Sequence, residues 1–418
     1  KRQDRINSIY QSREGKYWIG TYFGLASGTE SLFPKVDMLY GGLSSNSVNA
    51  FSETADGSFW VGTDDGLNRL RPGEPEFEWV NESTYPSIPS RDVMSLLATG
   101  NILWIGTYNG GLIKLDIESN ETKVYVHDKL DRTSIGANGV TSILLARPGV
   151  LLVGTFGGGL SKLDIESGEF TTFTNIPGDS KSLSNDHVIA LFKDSLEMIW
   201  VGTEKGLNRF IPSSGTFDSF FTDANNPNSI SSDMVWAFFE DQKQQLWLGT
   251  SGGSLNRWDA DDRADSIERF HHFSENISLP SSNIYGIQAD ARGHLWLSHN
   301  RGITSFNPET LETSQFGIRD GLQDSEYNMG AYFSAKSGEL YFGGNRGYNT
   351  VPAQGIEVDS IAPKVAIDSI KIMNERKSFN VPYYELQSLE LSHEDRMFAV
   401  EFFAADYSNP ELITYAYK

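Results

Sequence analysis

The sequence predicts an all-β fold, a β-propeller of seven to eight four-stranded blades followed by a truncated Ig-like β-sandwich. A tetrapeptide recurs as Trp18-Ile19-Gly20-Thr21, Trp60-Val61-Gly62-Thr63, Trp104-Ile105-Gly106-Thr107, Leu152-Val153-Gly154-Thr155, Trp200-Val201-Gly202-Thr203 and Trp247-Leu248-Gly249-Thr250. It degenerates to Trp296-Leu297-Ser298-His299 and Tyr341-Phe342-Gly343-Gly344. The anchors at 18, 60, 104, 152, 200, 247, 296 and 341 lie 42 to 49 residues apart, the period of a propeller blade. Upstream of every anchor a small residue precedes a large apolar one, from Ser8-Ile9 and Ala50-Phe51 to Gly286-Ile287 and Ala331-Tyr332.

That small-then-large order suits strand A, the innermost strand, because blades converge on the ring axis and their backbones approach closely there. Turns such as Asp56-Gly57, Arg292-Gly293 and Ser337-Gly338 follow, where Gly supplies a positive φ. The tetrapeptide is strand B. Gly66-Leu67-Asn68-Arg69, Gly206-Leu207-Asn208-Arg209 and Ser254-Leu255-Asn256-Arg257 open strand C, and segments such as Phe77 to Val80, Thr171 to Phe173 and Phe217 to Phe220 form strand D. Linkers such as 223–232, rich in Asn, Pro and Ser, return the chain to the next strand A. The propeller is assigned to 1–354. Eight anchors give eight blades in one ring; a seven-bladed ring would leave residues 1 to about 40 to a preceding propeller. After Tyr348 the period stops, and alternating segments at 365–372, 389–391 and 398–402 place a small sandwich in 355–418, incomplete at its C-terminal end.

The 418 residues carry a formal net charge of −21, a field that repels nucleic acid and anionic membrane surfaces. There is no Cys, so disulfides and thiolate chemistry are excluded. No run of about 18 apolar residues exists, so no membrane-embedded segment is expected. The chain starts on a Lys inside a repeat and is expected to be a piece of something longer.

The pattern Asn46-Ser47-Val48-Asn49-Ala50-Phe51, Asp56-Gly57, Trp60-Val61-Gly62-Thr63, Gly66-Leu67-Asn68-Arg69 resembles the two-component regulator propeller repeat. Glu401-Phe402-Phe403-Ala404-Ala405-Asp406-Tyr407-Ser408-Asn409-Pro410, with Tyr415 and Tyr417, resembles the tyrosine-rich Y_Y_Y domain that follows such propellers. The resemblance implies the periplasmic sensor region of a transmembrane histidine kinase, hybrid kinase or diguanylate cyclase. It also implies a homodimer tethered to a downstream membrane helix. A first propeller, the membrane helix and the signalling modules are absent from this sequence.

In a propeller the B–C turns and the D–A linkers emerge on one face, around the mouth of the channel. The turns offer Tyr22, Asp64, Tyr108, Phe156, Glu204, His299, Arg301 and Arg346, and the linkers Asn46, Asp92, Asn138, Asp186, Asp233 and Asn283. Aromatics mixed with carboxylates and amides around a concave mouth suit a sugar; the competing reading is that Asn and Asp before a strand bond their own backbone. Trp236 and Tyr285 stand in a column otherwise Asn7, Asn49, Met94, Thr141, Ile189 and Gly330, as ligand platforms or as packing between blades. Arg301 and Arg346 would make a basic spot for a carboxylate or sulfate, unless each pairs with a neighbouring acid.

No hydrolase elbow, phosphate loop or His-Glu-x-x-His pair occurs. His271 and His272, adjacent on a strand, point to opposite faces and cannot share a metal. The acidic run 259–265 lacks the Gly and closing Glu of a calcium loop and reads as a solvated loop. No cofactor, metal or catalytic residue is expected. The leading reading is a non-enzymatic sensor of an oligosaccharide or other small molecule; the alternatives are a lyase pairing His299 with Glu204, a glycosidase, or a protein-interaction scaffold.

Overall fold

The computed structural model describes residues 6–11, 17–28, 31–80, 92–273, 279–356, 365–386 and 388–404. The chain divides into two compact units, one of Leu32–Ile356 and the other of Lys1–Ser31 with Glu357–Lys418. Within Leu32–Ile356 the described residues form seven four-stranded antiparallel sheets. Their innermost strands are Val48–Glu53, Val93–Thr99, Val140–Arg147, Val188–Lys193, Val235–Glu240, Ile284–Ala289 and Tyr327–Ser334, which define blades 1 to 7. Each inner strand touches the next, and that of blade 7 touches that of blade 1, so the ring closes.

Blade 7 obtains its outermost strand from the start of the unit. Lys35–Val36 pairs with Gly347–Val351, and Asn349 Nδ2 and Thr350 N both donate to Pro34 O. Phe33, fully buried, packs edge-on to Trp296 and Phe316 beside this seam. The ring therefore has seven blades. The first anchor, Trp18, lies outside it, in a separate three-stranded sheet of Ile6–Gln11, Tyr17–Thr21 and Gly24–Gly28.

Within the ring the anchor indoles are buried, and each N–H meets an acceptor in the turn at the end of the preceding strand. Trp60 donates to Thr54 and Trp104 to Thr99, while Trp200, Trp247 and Trp296 donate to Asp194, Asp241 and Asp290. Blade 3 replaces the donor by Leu152 and the acceptor by Ala146, so neither polar group is orphaned. The Asn of Gly-Leu-Asn-Arg is equally structural. Asn68, Asn208 and Asn256 are fully buried, accept the backbone N–H of Ser44, Ser184 and Ser231, and donate back to those serine hydroxyls.

The Gly of the tetrapeptide is required by the next blade. A Cβ on Gly154 would lie 2.6 Å from Val188 Cγ1, and one on Gly343 2.7 Å from Val48 Cγ1; Gly62 and Gly106 meet Val93 and Val140 in the same way.

Two expectations need correcting. The acidic run 259–265 is not a solvated loop: Ala260–Ala264 is a short helix whose Arg263 is fully buried, 2.9 Å from Asp194 Oδ2 and bonded to Glu240. A guanidinium entering a pair of carboxylates converts this acidic surface segment into a wedge between blades 4 and 5. The C-terminal segment shows one three-stranded sheet among the described residues, Val365–Ile372 between Glu375–Arg376 and Phe398–Ala404; Leu389 to Leu391 is not a strand. Tyr415 and Tyr417 lie outside the described residues.

Gly154→Ala should destabilise the propeller by about 1–3 kcal/mol through overpacking, whereas Gly149→Asn, at an open left-handed turn, should change it far less. Arg263→Met leaves two carboxylates facing each other and should cost about 3–5 kcal/mol. Denaturant titration followed by Trp fluorescence reads all three.

Candidate functional site

Backbone hydrogen bonds place turns and linkers on one face. Within a blade, Asp64, Tyr108, Phe156, Glu204 and Ser251 at the start of the B–C turn donate to Ser47, Asp92, Gly139, His187 and Met234 of the same blade's linker. Between blades, the residue opening strand C donates to the next linker: Gly111 to Asn138, Gly159 to Asp186, Gly206 to Asp233, Ser254 to Ser282, Gly302 to Ser325 and Gly347 to Asn46. The mouth is thus a belt of linked turns.

That belt consumes most of the linker side chains. Asn46, Asn138, Asp186 and Asp233 accept the backbone N–H of Met38, His127, Asn175 and Thr222, in each case the second residue beyond strand D. Asn283 accepts Gly252 N at 2.9 Å. These five are loop braces.

The column holding Trp236 and Tyr285 is a β-bulge. In blades 1 to 6 one inner-strand residue, Asn49, Met94, Thr141, Ile189, Trp236 or Tyr285, is skipped by the ladder, and blade 7 skips Asn328 to Ala331. The polar members staple onto the following blade: Asn49 donates to Val93 O, Thr141 to Val188 O and Asn328 to Val48 O. Trp236 and Tyr285 do the same with rings, 5.1 Å apart across blades 5 and 6, and Tyr285 donates its hydroxyl to Glu326. Burial and the Glu326 carboxylate push the Tyr285 phenol up to about 12.

The remaining candidates separate. Tyr22 lies outside the ring, exposed and edge-on to Phe23. His299 is 0% exposed and does not reach the mouth. It occupies the position of the motif Thr and replaces the hydrogen bonds of that residue. Thr63 Oγ1 accepts Asp65 N, and His299 Nδ1 likewise accepts Arg301 N, while Nε2 meets Thr304 Oγ1 at 2.9 Å. The pairing of His299 with Glu204 that the lyase alternative needs is therefore not formed, and Glu204 has another neighbour. Glu204 Oε2 lies 3.0 Å from His187 Nδ1, an ion-pair distance without hydrogen-bond alignment. Arg346 is paired with Asp324 at 3.0 Å, which removes half of the expected basic spot; Arg301 is exposed. Asp64, Tyr108 and Phe156 remain exposed on their turns.

Sequence reasoning misses two features. His187 carries no signal beyond its place in a linker. On the opposite face a cavity of about 530 Å³ opens among the A–B turns of blades 5, 6 and 7, with Phe239, Asp241, Lys243, Arg292, His294 and Glu309 in its wall. Its charges are committed, Lys243 to Glu309 and Arg292 to Asp290, the acceptor of the Trp296 indole. Residues from three blades build it, so no local pattern signals it. Among the described residues no cluster of His, Asp and Glu is set to hold a metal, and no helix is long and apolar enough to cross a membrane.

Four stretches, 2–23, 42–65, 229–252 and 278–301, match the family model of the two component regulator propeller. The chain is 25% identical over 248 residues to histidine kinase P4 of Formosa agariphila, a match covering 57% of this chain and 18% of the kinase. Its fold is similar to the extracellular domain of a hybrid two-component system of B. thetaiotaomicron, with a TM-score of 0.77 at 21% identity over 97% of this chain and 53% of that one. A virginiamycin B lyase from Staphylococcus aureus shares the propeller more distantly, with a TM-score of 0.53 at 11% identity over 76% of this chain and 97% of the lyase. The chain thus spans about half of the solved two-component structure and less than a fifth of the kinase.

Burial, reinforced by the Arg301 charge, lowers the His299 pKa to about 4, against about 6.5 unfolded. Between these values the unfolded chain binds the extra proton, so the stability from neutral His299 is present above pH 6.5 and lost as pH falls towards 4. His299→Thr restores the motif and should flatten the fall in thermal midpoint between pH 6.5 and 4.5, measured by scanning calorimetry.

Proposed function

We propose that this chain is the ligand-sensing, non-enzymatic, periplasmic region of a transmembrane signalling protein of the sensor histidine kinase type, acting as a dimer and taking an oligosaccharide at the propeller mouth. The observation that carries the reading is the likeness to a histidine kinase over 248 residues, of which the chain spans 18%, with ample length beyond the match for membrane and signalling segments. The four repeat matches and the fold of a two-component extracellular domain support it. The belt of bonded turns adds a physical reason: a rigid, polar, aromatic-bearing rim suits recognition without reorganisation.

A lyase would need an accessible base, and the candidate for it, His299, is sealed in a hairpin with its nitrogens engaged by its own blade.

The purified chain should show a raised thermal midpoint with at least one member of a panel of oligosaccharides, since ligand at 100 times its Kd adds about 2.7 kcal/mol. Chromatography of the same mixture should recover the glycan intact. Consumption of the glycan would make this an enzyme, and a panel without any shift would sink the oligosaccharide reading.

A further inference from the structure

We infer that the oligosaccharide site is the sector of the mouth formed by blades 2 to 4, and that it takes a neutral glycan, through the rings of Tyr108 and Phe156 and the His187–Glu204 pair. The inference rests on the sensor reading above and deepens it.

Elsewhere the rim is largely committed. The linker amides and carboxylates brace backbone, Trp236 and Tyr285 pack on each other, Arg346 is paired and His299 is sealed. The sector of blades 2 to 4 instead presents two large rings to water, Tyr108 58% and Phe156 54% exposed. They stand at the same turn position in adjacent blades, with Gly139 between them: a Cβ there would lie 3.0 Å from Tyr108 O and 3.2 Å from Phe156 Cβ. Phe156 leans on the His187 imidazole, centroids 4.4 Å apart, and His187 leads to Glu204. Phe156, His187 and Glu204 thus touch in succession, and Tyr108 extends the strip one blade back across Gly139.

The strip is held before any ligand arrives. Thr107 Oγ1 donates to Gly111 O and accepts Gly110 N, and Thr155 Oγ1 donates to Gly159 O. Tyr108 N and Phe156 N are tied to the preceding linker, and Gly111, Gly157 and Gly159 to the following one. Rings that are more than half exposed, on turns that cannot collapse, keep surface open to a ligand, and stacking against it loses little conformational freedom.

Chemistry selects the ligand. Ring faces accept the C–H face of a pyranose, while the half-exposed imidazole and carboxylate bond its hydroxyls. Rings on successive blades make a strip rather than a converging cage, which favours an extended chain over a compact quaternary ammonium. Asp64, Asp65, Asp92 and Glu204 stand on the B–C turns and linkers of blades 1, 2 and 4, with Lys205 next to Glu204 as a basic residue on the blade 4 turn. With the net charge of −21, this field opposes uronates and sulfated sugars.

The test is calorimetric titration of the whole chain with cellotetraose, laminaritetraose, xylotetraose and mannotetraose, with tetragalacturonate and a sulfated tetrasaccharide as anionic probes. At least one neutral tetraose should bind. Tyr108→Ala and Phe156→Ala together should weaken it about tenfold or more, about 1.4 kcal/mol or more, with the thermal midpoint little changed because both rings are exposed. Glu204→Gln, which keeps the shape, should weaken it less than the double variant. Binding of anionic probes alone would overturn the inference. So would a neutral tetraose that binds the double variant as tightly as wild type, or one lost instead in His294→Ala on the opposite face; in both cases the sensor reading survives. Failure of every glycan would remove the oligosaccharide reading along with the site.

Discussion

The ring depends on one close approach repeated around it, the backbone of strand B against the inner strand of the next blade. At Gly62, Gly106, Gly154 and Gly343 the space for a Cβ is taken by a valine of the neighbouring blade. That contact sets the distance between blades, and the distance lets the buried Trp anchors fill the wedge outside it. Blade 6 solves the same problem in reverse. Strand B carries Ser298 where the others carry Gly, and the inner strand opposite carries Gly286, whose Cβ would meet Tyr332 Cδ1 at 2.6 Å and Ser298 Oγ at 2.8 Å.

From this spacing follows the construction of the mouth. Inner strands that pack so closely have a bulge at their mouth end, and where the bulged residue is Asn49, Thr141 or Trp236 it bonds or packs onto the following blade. The B–C turn then lies within reach of two linkers, its own and the next, and bonds to both. Polar residues at these points are structural because they accept backbone N–H groups just past the end of strand D, which the ladder leaves without a partner. What the belt leaves exposed are side chains at turn tips, which is why recognition is assigned to rings and to the His187–Glu204 pair rather than to the more numerous Asn and Asp.

The same economy governs the opposite face. The indole acceptors Asp194, Asp241 and Asp290 sit in the A–B turns, and Arg263 reaches Asp194 from the helix in blade 5. Hydrogen bonds and the Arg292 guanidinium hold the Asp290 carboxyl below its usual range despite the opposing effect of its burial. The cavity there is walled by groups already serving the anchors, a structural role that competes with binding.

Repeat architecture made much of this protein legible. The anchor spacing, the small-then-large column and the Gly of each tetrapeptide are local consequences of blade geometry, so the all-β class, the strand order and the mouth face could be read from residues in line. Trp236 and Tyr285 were legible as members of one column, but not as rings packed on each other. The outer strand of the seventh blade was not readable, because two residues, Lys35–Val36, carry no pattern and pair with a strand more than 300 positions away. Nor was the fate of His299, whose burial follows from its taking the place of a Thr, or of Arg263, whose partners lie 69 and 23 positions earlier. Sequence by itself determined the elements and their repeating contacts, since these depend on period and side-chain size. Only the tertiary structure decided the number of blades in the ring and which polar groups remain free, because both depend on contacts between residues far apart in the chain.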